Sequence, residues 1–248
     1  RVVNQRQLAQ QASVALAQRA AEDRAQAANK RLALLARASE NLGASLDVDA
    51  TTHALVSLLV PTLADHAVID LVDIDASGGV TDHVRRSAMA HRAEASEPRI
   101  PYTQPGELVP YTSDNAAMRC LRSGQPVLVE SVNTDDLFAG ANDPHIAESL
   151  AAVGVQSQVA VPLVGRDGVI GVLLLKQSVS ERHFTDDDVA IAAELAARAG
   201  VAIDNARRYI REHTIALTLQ RSLMREQLMR TAELEAAARY VPAGGGVA

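Results

Sequence analysis

The stretch SQVAVPLVGRDGVIGVLLLKQS, residues 157–178, decides the fold class of this chain. Two runs rich in Val, Ile and Leu flank the turn GRDG at residues 165–168, and this arrangement is typical of a β-hairpin. Both faces of the two strands are apolar, so other elements have to cover the sheet on both sides. The hairpin therefore predicts an antiparallel sheet that is flanked by helices.

Two further segments extend this sheet. AVIDLVDID, residues 67–75, and VTDHVRRSAM, residues 80–89, lie on either side of the turn ASGG and predict a second hairpin. PVLVE, residues 126–130, predicts a short additional strand. Helical patterns come before, between and after these strands. We therefore predict an α+β fold with a mostly antiparallel sheet of five to six strands.

Capping residues place the ends of several helices. In SDNAAMRCLRSGQP we expect Ser113 to cap the helix start and Gly124 to end it. NDPHIAESLAAVG, residues 142–154, predicts another short helix. In the last helix Thr185 and Asp188 have the spacing of a capping box.

Composition limits the classes of function. The net charge of -6 argues against a nucleic-acid surface, and six aromatic residues without Trp disfavour stacking on bases. A single cysteine permits no internal disulfide, which fits a cytoplasmic location. No apolar run approaches the roughly 20 residues of a membrane span, so we expect no membrane contact. Because the sequence begins with Arg, we expect it to be a piece of a longer protein.

The two ends of the chain show heptad spacing. Residues 4–46 contain no Pro and predict one long helix, and the last helix continues the pattern past residue 209. From this spacing we predict a parallel homodimer through the terminal helices. The alternatives are a single helix that packs on its own domain and a rigid spacer in a single chain. The predicted dimer seam consists of Val14, Ala21, Ala28, Leu35, Leu42, Ile203, Ile210, Leu217 and Met224.

The order of elements from about residue 48 to 209 resembles a GAF domain, a small-molecule sensor module. The central hairpin resembles the family's pair of strands across a Gly-rich turn. The segment FTDDDVAIAAELAARAGVAIDNARRY, residues 184–209, resembles its closing helix. The matching positions of this helix are Leu195, Ala196, Ala199, Gly200, Ala202, Ile203, Asn205, Ala206, Arg207 and Tyr209. The resemblance implies a GAF-like sheet and a regulatory role.

The end of the chain, LTLQRSLMREQLMRTAELEAAARYVPAGGGVA, carries a second resemblance. It looks like the beginning of a SpoIIE-like, PPM-type serine/threonine phosphatase domain, although LMR stands where that family has LLP. The sequence stops before any metal-binding aspartates, so we expect the catalytic domain, with its Mn or Mg, to lie outside it. The matching positions are Leu219, Gln220, Arg221, Ser222, Leu223, Ala237, Ala238, Arg239, Tyr240, Pro242 and Ala243.

We predict no catalytic residues and no metal site within the chain itself. Asp73 and Asp75 share one face of their predicted strand and Asp70 the other, and we interpret all three as solvated strand-end residues. His145 could act as a haem ligand, but a solvated or packed histidine is the simpler interpretation. Cys120 has no His beside it, which favours a buried structural thiol.

A small-molecule pocket is expected between the sheet and the helices near residues 113–123 and 143–153. The alternative is that the same apolar residues only fill the core. The family's cyclic-nucleotide signature is not recognisable, so binding of cGMP is unsupported. The candidate lining residues are Met118, Leu121, Leu137, Phe138, Ile146 and Val159.

These observations predict four segments. They are a signalling helix at residues 1–46, a GAF domain at 47–209, a linker helix at 210–235 and the start of a phosphatase domain at 236–248. We expect a sensor and dimerisation module without enzymatic activity, which controls a phosphatase that acts on phosphorylated anti-sigma-factor antagonist proteins. The alternatives are a ligand-free dimerisation module and the input domain of a histidine kinase or diguanylate cyclase.

Overall fold

The computed structural model describes residues 18–19, 21, 32–38, 40, 45–74, 80–92, 103–141, 143–178, 180 and 182–225. The chain divides into two compact units, residues 1–207 and 208–248. Residues 32–38 are helical and precede the first complete element. The elements that follow are α1 (Val48–Leu59), β1 (His66–Ile74), β2 (Val80–His91), α2 (Ala116–Ser123), β3 (Val127–Val129), α3 (Thr134–Gly140), α4 (Pro144–Ala152), β4 (Ser157–Gly165), β5 (Gly168–Gln177) and α5 (Asp186–Arg225).

The strands form one five-stranded sheet in the order β2-β1-β5-β4-β3, in which every neighbouring pair is antiparallel. The hairpin of residues 157–178 is confirmed, and its register closes at the pair Gly165 and Gly168. The second hairpin, β1 with β2, is also present. Pairing of β1 with β5 joins the two hairpins. The predicted α+β fold with an antiparallel sheet is confirmed, with five strands.

The two faces of the sheet have different coverings. One face packs against α1, α5 and the helical residues 32–38, and it forms the larger core. Leu55 of α1, Leu173 of β5 and Leu195 of α5 are completely buried there. On the other face, α2 packs on the strands through small side chains, and α3 and α4 form a separate small cluster. The looser packing of this second face leaves room for a cavity.

The cap of α2 differs from the prediction. The N-cap is Asn115 and not Ser113, because the Asn115 side chain accepts a hydrogen bond of 2.8 Å from the Ala117 backbone nitrogen. Its amide also donates to the Gly140 carbonyl oxygen at 2.8 Å and so holds α2 against the end of α3. The end of the helix is as predicted, since Gly124 adopts a left-handed φ of 64°.

Helix α3 was not predicted from the sequence. Asn133 and Asp136 form a capping box at its start, in which each side chain bonds the backbone nitrogen of the other residue. The predicted capping box of α5 is confirmed. The Thr185 hydroxyl accepts from the Asp188 nitrogen at 3.3 Å, and Asp188 accepts from the Thr185 nitrogen at 3.0 Å.

Helix α5 approaches strand β4 without a side chain between the two backbones. A Cβ atom at Gly200 would lie 2.6 Å from the Val164 nitrogen and closer still to its carbonyl oxygen. Real Cβ atoms essentially never make such contacts with backbone, so only glycine fits here. The close packing of α5 on β4 therefore explains why the closing helix has a glycine at position 200.

Two residues of the predicted dimer seam are already used within the chain. Leu35 is 9% exposed and Ile203 is fully buried, and both belong to the larger core. Their side chains cannot face a second copy, so these two positions of the seam are wrong. At Leu35 and Ile203 the heptad spacing reflects packing against the core of the same domain.

The remaining seam positions are partly visible. Ala21 and Ile210 are exposed and Leu217 is half-buried. Met224 lies in α5, but the structure does not describe its side chain. Val14, Ala28 and Leu42 lie outside the described residues. The dimer itself stays a prediction.

Candidate ligand-binding cavity

A cavity of about 270 Å³ lies on the second face of the sheet, where α2, α3, α4 and the segment 103–111 meet the strands. Two of the predicted lining residues, Leu137 and Ile146, line it. Apolar side chains form much of its wall and charged ones are grouped within it. The lining residues are Arg86, Thr103, Val109, Pro110, Tyr111, Asp114, Asn115, Ala116, Arg119, Val129, Asp136, Leu137, Ala139, Gly140, Ala141, Ile146, Leu150, Gln158, Leu174 and Lys176.

The other four predicted lining residues lie elsewhere. Met118 and Leu121 are half-buried on α2 but do not border the cavity. Phe138 is 42% exposed on α3. Val159 is completely buried in the core on the opposite face of the sheet. Because side chains alternate along a strand, its neighbour Gln158 borders the cavity instead.

The cavity contains a buried cluster that the sequence did not reveal. The Arg86 Nε donates to Asp70 Oδ1 at 2.7 Å, and the Tyr111 hydroxyl donates to Asp70 Oδ2 at 2.6 Å. Arg86 also donates to the Thr103 carbonyl oxygen at 3.3 Å. Asp70 is fully buried and Arg86 nearly so. The interpretation of Asp70 as a solvated strand-end residue is therefore wrong.

The next carboxylate along β1 behaves differently. Asp73 pairs with Arg85 at 3.0 Å, and both side chains remain partly exposed. Asp75 lies outside the described residues. The two adjacent strands thus carry one buried and one surface Arg–Asp pair.

Burial and charge determine the protonation of this cluster. Burial opposes the charge of Arg86, but the neighbouring Asp70 and Tyr111 outweigh it and raise the pKa of Arg86. Burial, and then the charge of Asp70, raise the pKa of Tyr111 well above its usual value. The phenol therefore stays protonated as a donor to Asp70, and Arg86 keeps its positive charge beside the Asp70 carboxylate.

Lys176 is a second cation at the cavity, and it lies outside the Arg86–Asp70 pair. It lies half-buried on β5, two residues from Leu174, which lines the same cavity. Burial and then the positive charge of Arg86 lower the pKa of Lys176 to about 8, against an opposing effect of Asp70. In the described part of the chain no carboxylate forms a salt bridge with it. A lysine inside the apolar run VIGVLLLKQ is the signal that could have identified it.

Two acids and an arginine occupy other parts of the cavity wall. Asp114, Arg119 and Asp136 are exposed to water, in contrast to Arg86 and Lys176. One oxygen of Asp136 accepts from the Asn133 nitrogen at 3.2 Å as part of the α3 cap. The charged groups of the cavity therefore separate into two parts, a less exposed part with the buried Arg86 and the half-buried Lys176, and an exposed part with Asp114, Arg119 and Asp136.

The other candidate residues have structural positions. His145 has an 81% exposed side chain on α4 and contacts Glu148 at 3.4 Å, which does not suit an axial haem ligand. Cys120 is buried, and burial raises the pKa of its thiol to about 12, as expected for a structural cysteine. Among the described residues, no group of three or more His, Cys, Asp or Glu could hold a metal ion. Within the same residues, no helix combines the length and hydropathy needed to cross a membrane.

Comparisons with known proteins agree with this architecture. The family model described as GAF domain matches residues 45–204. The GAF domain of a phosphoenolpyruvate-protein phosphotransferase from Coxiella burnetii superposes with a TM-score of 0.54 at 16% identity, over 73% of this chain and 97% of that one. The corresponding Acinetobacter domain gives 0.54 and 17%, over 73% and 96%.

A third solved structure shares the fold. Free methionine-R-sulfoxide reductase from Neisseria meningitidis, solved in complex with its substrate, has a TM-score of 0.51 at 18% identity, over 74% of this chain and 93% of that one. At these identities the likeness concerns the fold alone. Comparison with curated proteins gave no match.

Proposed function

The chain belongs to the GAF domain family, and on that premise we propose that its regulatory domain binds a small molecule in the cavity and passes the signal to an output domain through α5. The observation that carries the proposal is the cavity itself, with its buried charged cluster. Lys176 borders the same cavity and has no ion-pair partner among the described residues. A domain that served only as a scaffold would have no need for such a lysine, because removing a charge from water is costly.

The sheet provides a short route from the cavity to α5. Strand β4 borders the cavity with Gln158, and its Val164 touches Gly200 of α5 on the other side. A ligand can influence α5 only if it binds one position of β4 and α5 better than another. We therefore expect β4 and α5 to have two arrangements, of which the ligand binds one more tightly than the other.

For the output domain we propose a PPM-type serine/threonine phosphatase. The resemblance of LQRSL, residues 219–223, and AARY, residues 237–240, to the start of that domain supports it. The substrates would be phosphorylated anti-sigma-factor antagonist proteins, and Mn or Mg would be bound by the phosphatase domain. A histidine kinase or diguanylate cyclase output fits the GAF domain equally well and is the competing proposal.

An activity assay on the intact protein separates these outputs. We expect release of phosphate from a phosphoserine-bearing antagonist protein that depends on added Mn²⁺, and we expect none from residues 1–248 alone. Autophosphorylation on histidine with ATP, or formation of a cyclic dinucleotide from GTP, would reject the phosphatase. The ~60 residues that follow position 248 in the intact protein give an independent check, since acidic metal-binding motifs are expected there.

We also propose that the module is a homodimer through α5. Ile210 and Ile215 are similarly exposed, at 50% and 53%, but only Ile210 lies on the predicted seam. Light scattering should give twice the chain mass of 26.3 kDa for the parent protein. Ile210→Ser should weaken the dimer and Ile215→Ser should not. A monomeric parent, or the reverse order of the two variants, would reject the seam.

A further inference from the structure

The less exposed part of the cavity has more positive than negative charges. Arg86 is neutralised by Asp70, with which it forms two contacts of 2.7 and 3.3 Å. Lys176 has no such partner within the described residues, although it borders the same cavity. The half-buried Lys176 therefore adds one uncompensated positive charge next to an already satisfied ion pair.

We infer that the cavity binds a small organic molecule with a single anionic head group, a carboxylate or a phosphate, which pairs with Lys176 while its apolar body fills the space between the sheet and α3 and α4. This inference rests on the proposed ligand-binding role of the domain. It names the chemical class of the ligand and the residue that recognises its charge.

Much of the remaining cavity wall is apolar, so the part of the ligand that contacts it has to be apolar as well. Leu174 on β5, Val129 on β3, Leu137 on α3, and Ile146 and Leu150 on α4 line the cavity. An apolar cavity of roughly 150 Å³ holds benzene, so by the same ratio 270 Å³ takes about eleven non-hydrogen atoms. The ligand is thus a small metabolite, which is too small to be a dinucleotide.

The exposed acids disfavour a second anionic group at the other end of the ligand. Asp114 and Asp136 line the exposed part of the cavity, and Arg119 offsets only one of them. A dianion that spans the cavity would place its second charge near these carboxylates and be repelled. A cation or a neutral molecule would leave the Lys176 ammonium without a partner. A ligand with one anionic group and an uncharged tail pairs with Lys176 and is not repelled by Asp114 and Asp136.

A series of compounds with one tail and four head groups tests this class on the full chain by isothermal titration calorimetry. The probes are hexanoate, hexyl phosphate, hexylamine and 1-hexanol. We expect hexanoate or hexyl phosphate to bind at least about tenfold more tightly than hexylamine and hexanol, the difference expected for a charge-assisted hydrogen bond. The tighter of the two anions identifies a carboxylate or a phosphate ligand. Equal binding of all four heads, or no binding of either anion, overturns the inference.

A pair of variants tests the residue. Lys176→Met keeps the unbranched stem and removes the charge, and Arg166→Met removes a cation from the exposed turn of the same hairpin. We expect Lys176→Met to lose at least about tenfold in affinity for the binding anion, and Arg166→Met to change it less than about twofold. Equal losses in the two variants would show a general charge effect and refute the role of Lys176.

The proton on Lys176 provides a third measurement. Several ionisable groups face or flank Lys176: His66 and Asp70 on β1, Arg86 on β2, and Tyr111, Asp114, Arg119 and Asp136 around the cavity. Above its pKa of about 8 the free lysine loses its proton, so the affinity for hexanoate should fall up to about tenfold per pH unit there. In Lys176→Met the affinity should not change over this range.

The chain contains two lysines, Lys30 and Lys176, so ¹³C-dimethylation followed by NMR can report this titration directly. We expect the bound anion to raise the Lys176 pKa, because it favours the charged form. An unchanged titration in the presence of saturating anion would overturn the inference. These measurements need no output domain, so they fail or succeed separately from the proposed phosphatase.

Discussion

The buried pair of Asp70 and Arg86 predicts a large and specific stability effect. Arg86→Met leaves the fully buried Asp70 carboxylate with the Tyr111 hydroxyl in place of a guanidinium. Breaking a buried ion pair by removing one partner costs about 3–5 kcal/mol. For a domain of this size each kcal/mol lowers Tm by about 2–4 °C, so we expect a decrease of roughly 6–20 °C. Asp70→Asn should have a similar effect, because it leaves Arg86 without its counter-ion.

The double variant Asp70→Asn/Arg86→Met separates pairing from packing. Replacement of both members of a buried pair is often nearly neutral, so the double variant should cost less than the sum of the two single variants. Urea unfolding followed by circular dichroism at 222 nm at pH 7 gives the four free energies of unfolding.

The surface pair Asp73–Arg85 provides a matched control on the same two strands. Its side chains are 26% and 43% exposed, and solvent screens the attraction in such pairs, so they contribute little to stability. We therefore expect Arg85→Met to lower the urea midpoint much less than Arg86→Met does. Equal costs in the two variants, or additive effects at Asp70 and Arg86, would refute the assignment of this buried pair.

Three further predictions concern other parts of the domain. Gly200→Ala should destabilise by about 1–3 kcal/mol or more because its Cβ meets the Val164 backbone, whereas helix propensity alone predicts a gain of about 1 kcal/mol; the sign of the change in urea midpoint decides between them. Burial lowers the pKa of His66 to about 4, so only the unfolded chain takes up its proton as pH falls from about 6.5. Stability should therefore fall between pH 6.5 and 4, and His66→Gln should remove this part of the decline in urea midpoints. Cys120, with its thiol pKa raised to about 12, should resist iodoacetamide at pH 8 in the native state and react in urea, as mass spectrometry would show.

Local patterns in the sequence were sufficient for much of the fold. The hairpin turn at residues 165–168, the Gly124 cap and the Thr185–Asp188 box depend on residues within a few positions of one another, and all three are present. Helix α3 was missed although its Asn133–Asp136 box has the same spacing. Its seven residues contain too few apolar positions to show a period.

The cavity depends on distant contacts and was therefore harder to predict. Asp70 meets Arg86 and Tyr111, which are 16 and 41 positions away, and nothing near Asp70 in the sequence indicates them. Val159 was assigned to the wrong face because a strand shifted by one residue exchanges its two faces. Ile146 was found because its helix was already predicted to cover the sheet, whereas Leu137 was found although its helix, α3, was not predicted.

The contact between Gly200 and Val164 has a mechanical consequence. Where side chains separate two elements, a change of rotamer can absorb a displacement of several tenths of an ångström. Here backbone rests on backbone, so no rotamer is available to absorb it. A shift of β4 at this point is therefore passed directly to the backbone of α5 around Gly200. The response there should be a small displacement of the helix backbone with its hydrogen bonds intact, so amide exchange near Gly200 should change little.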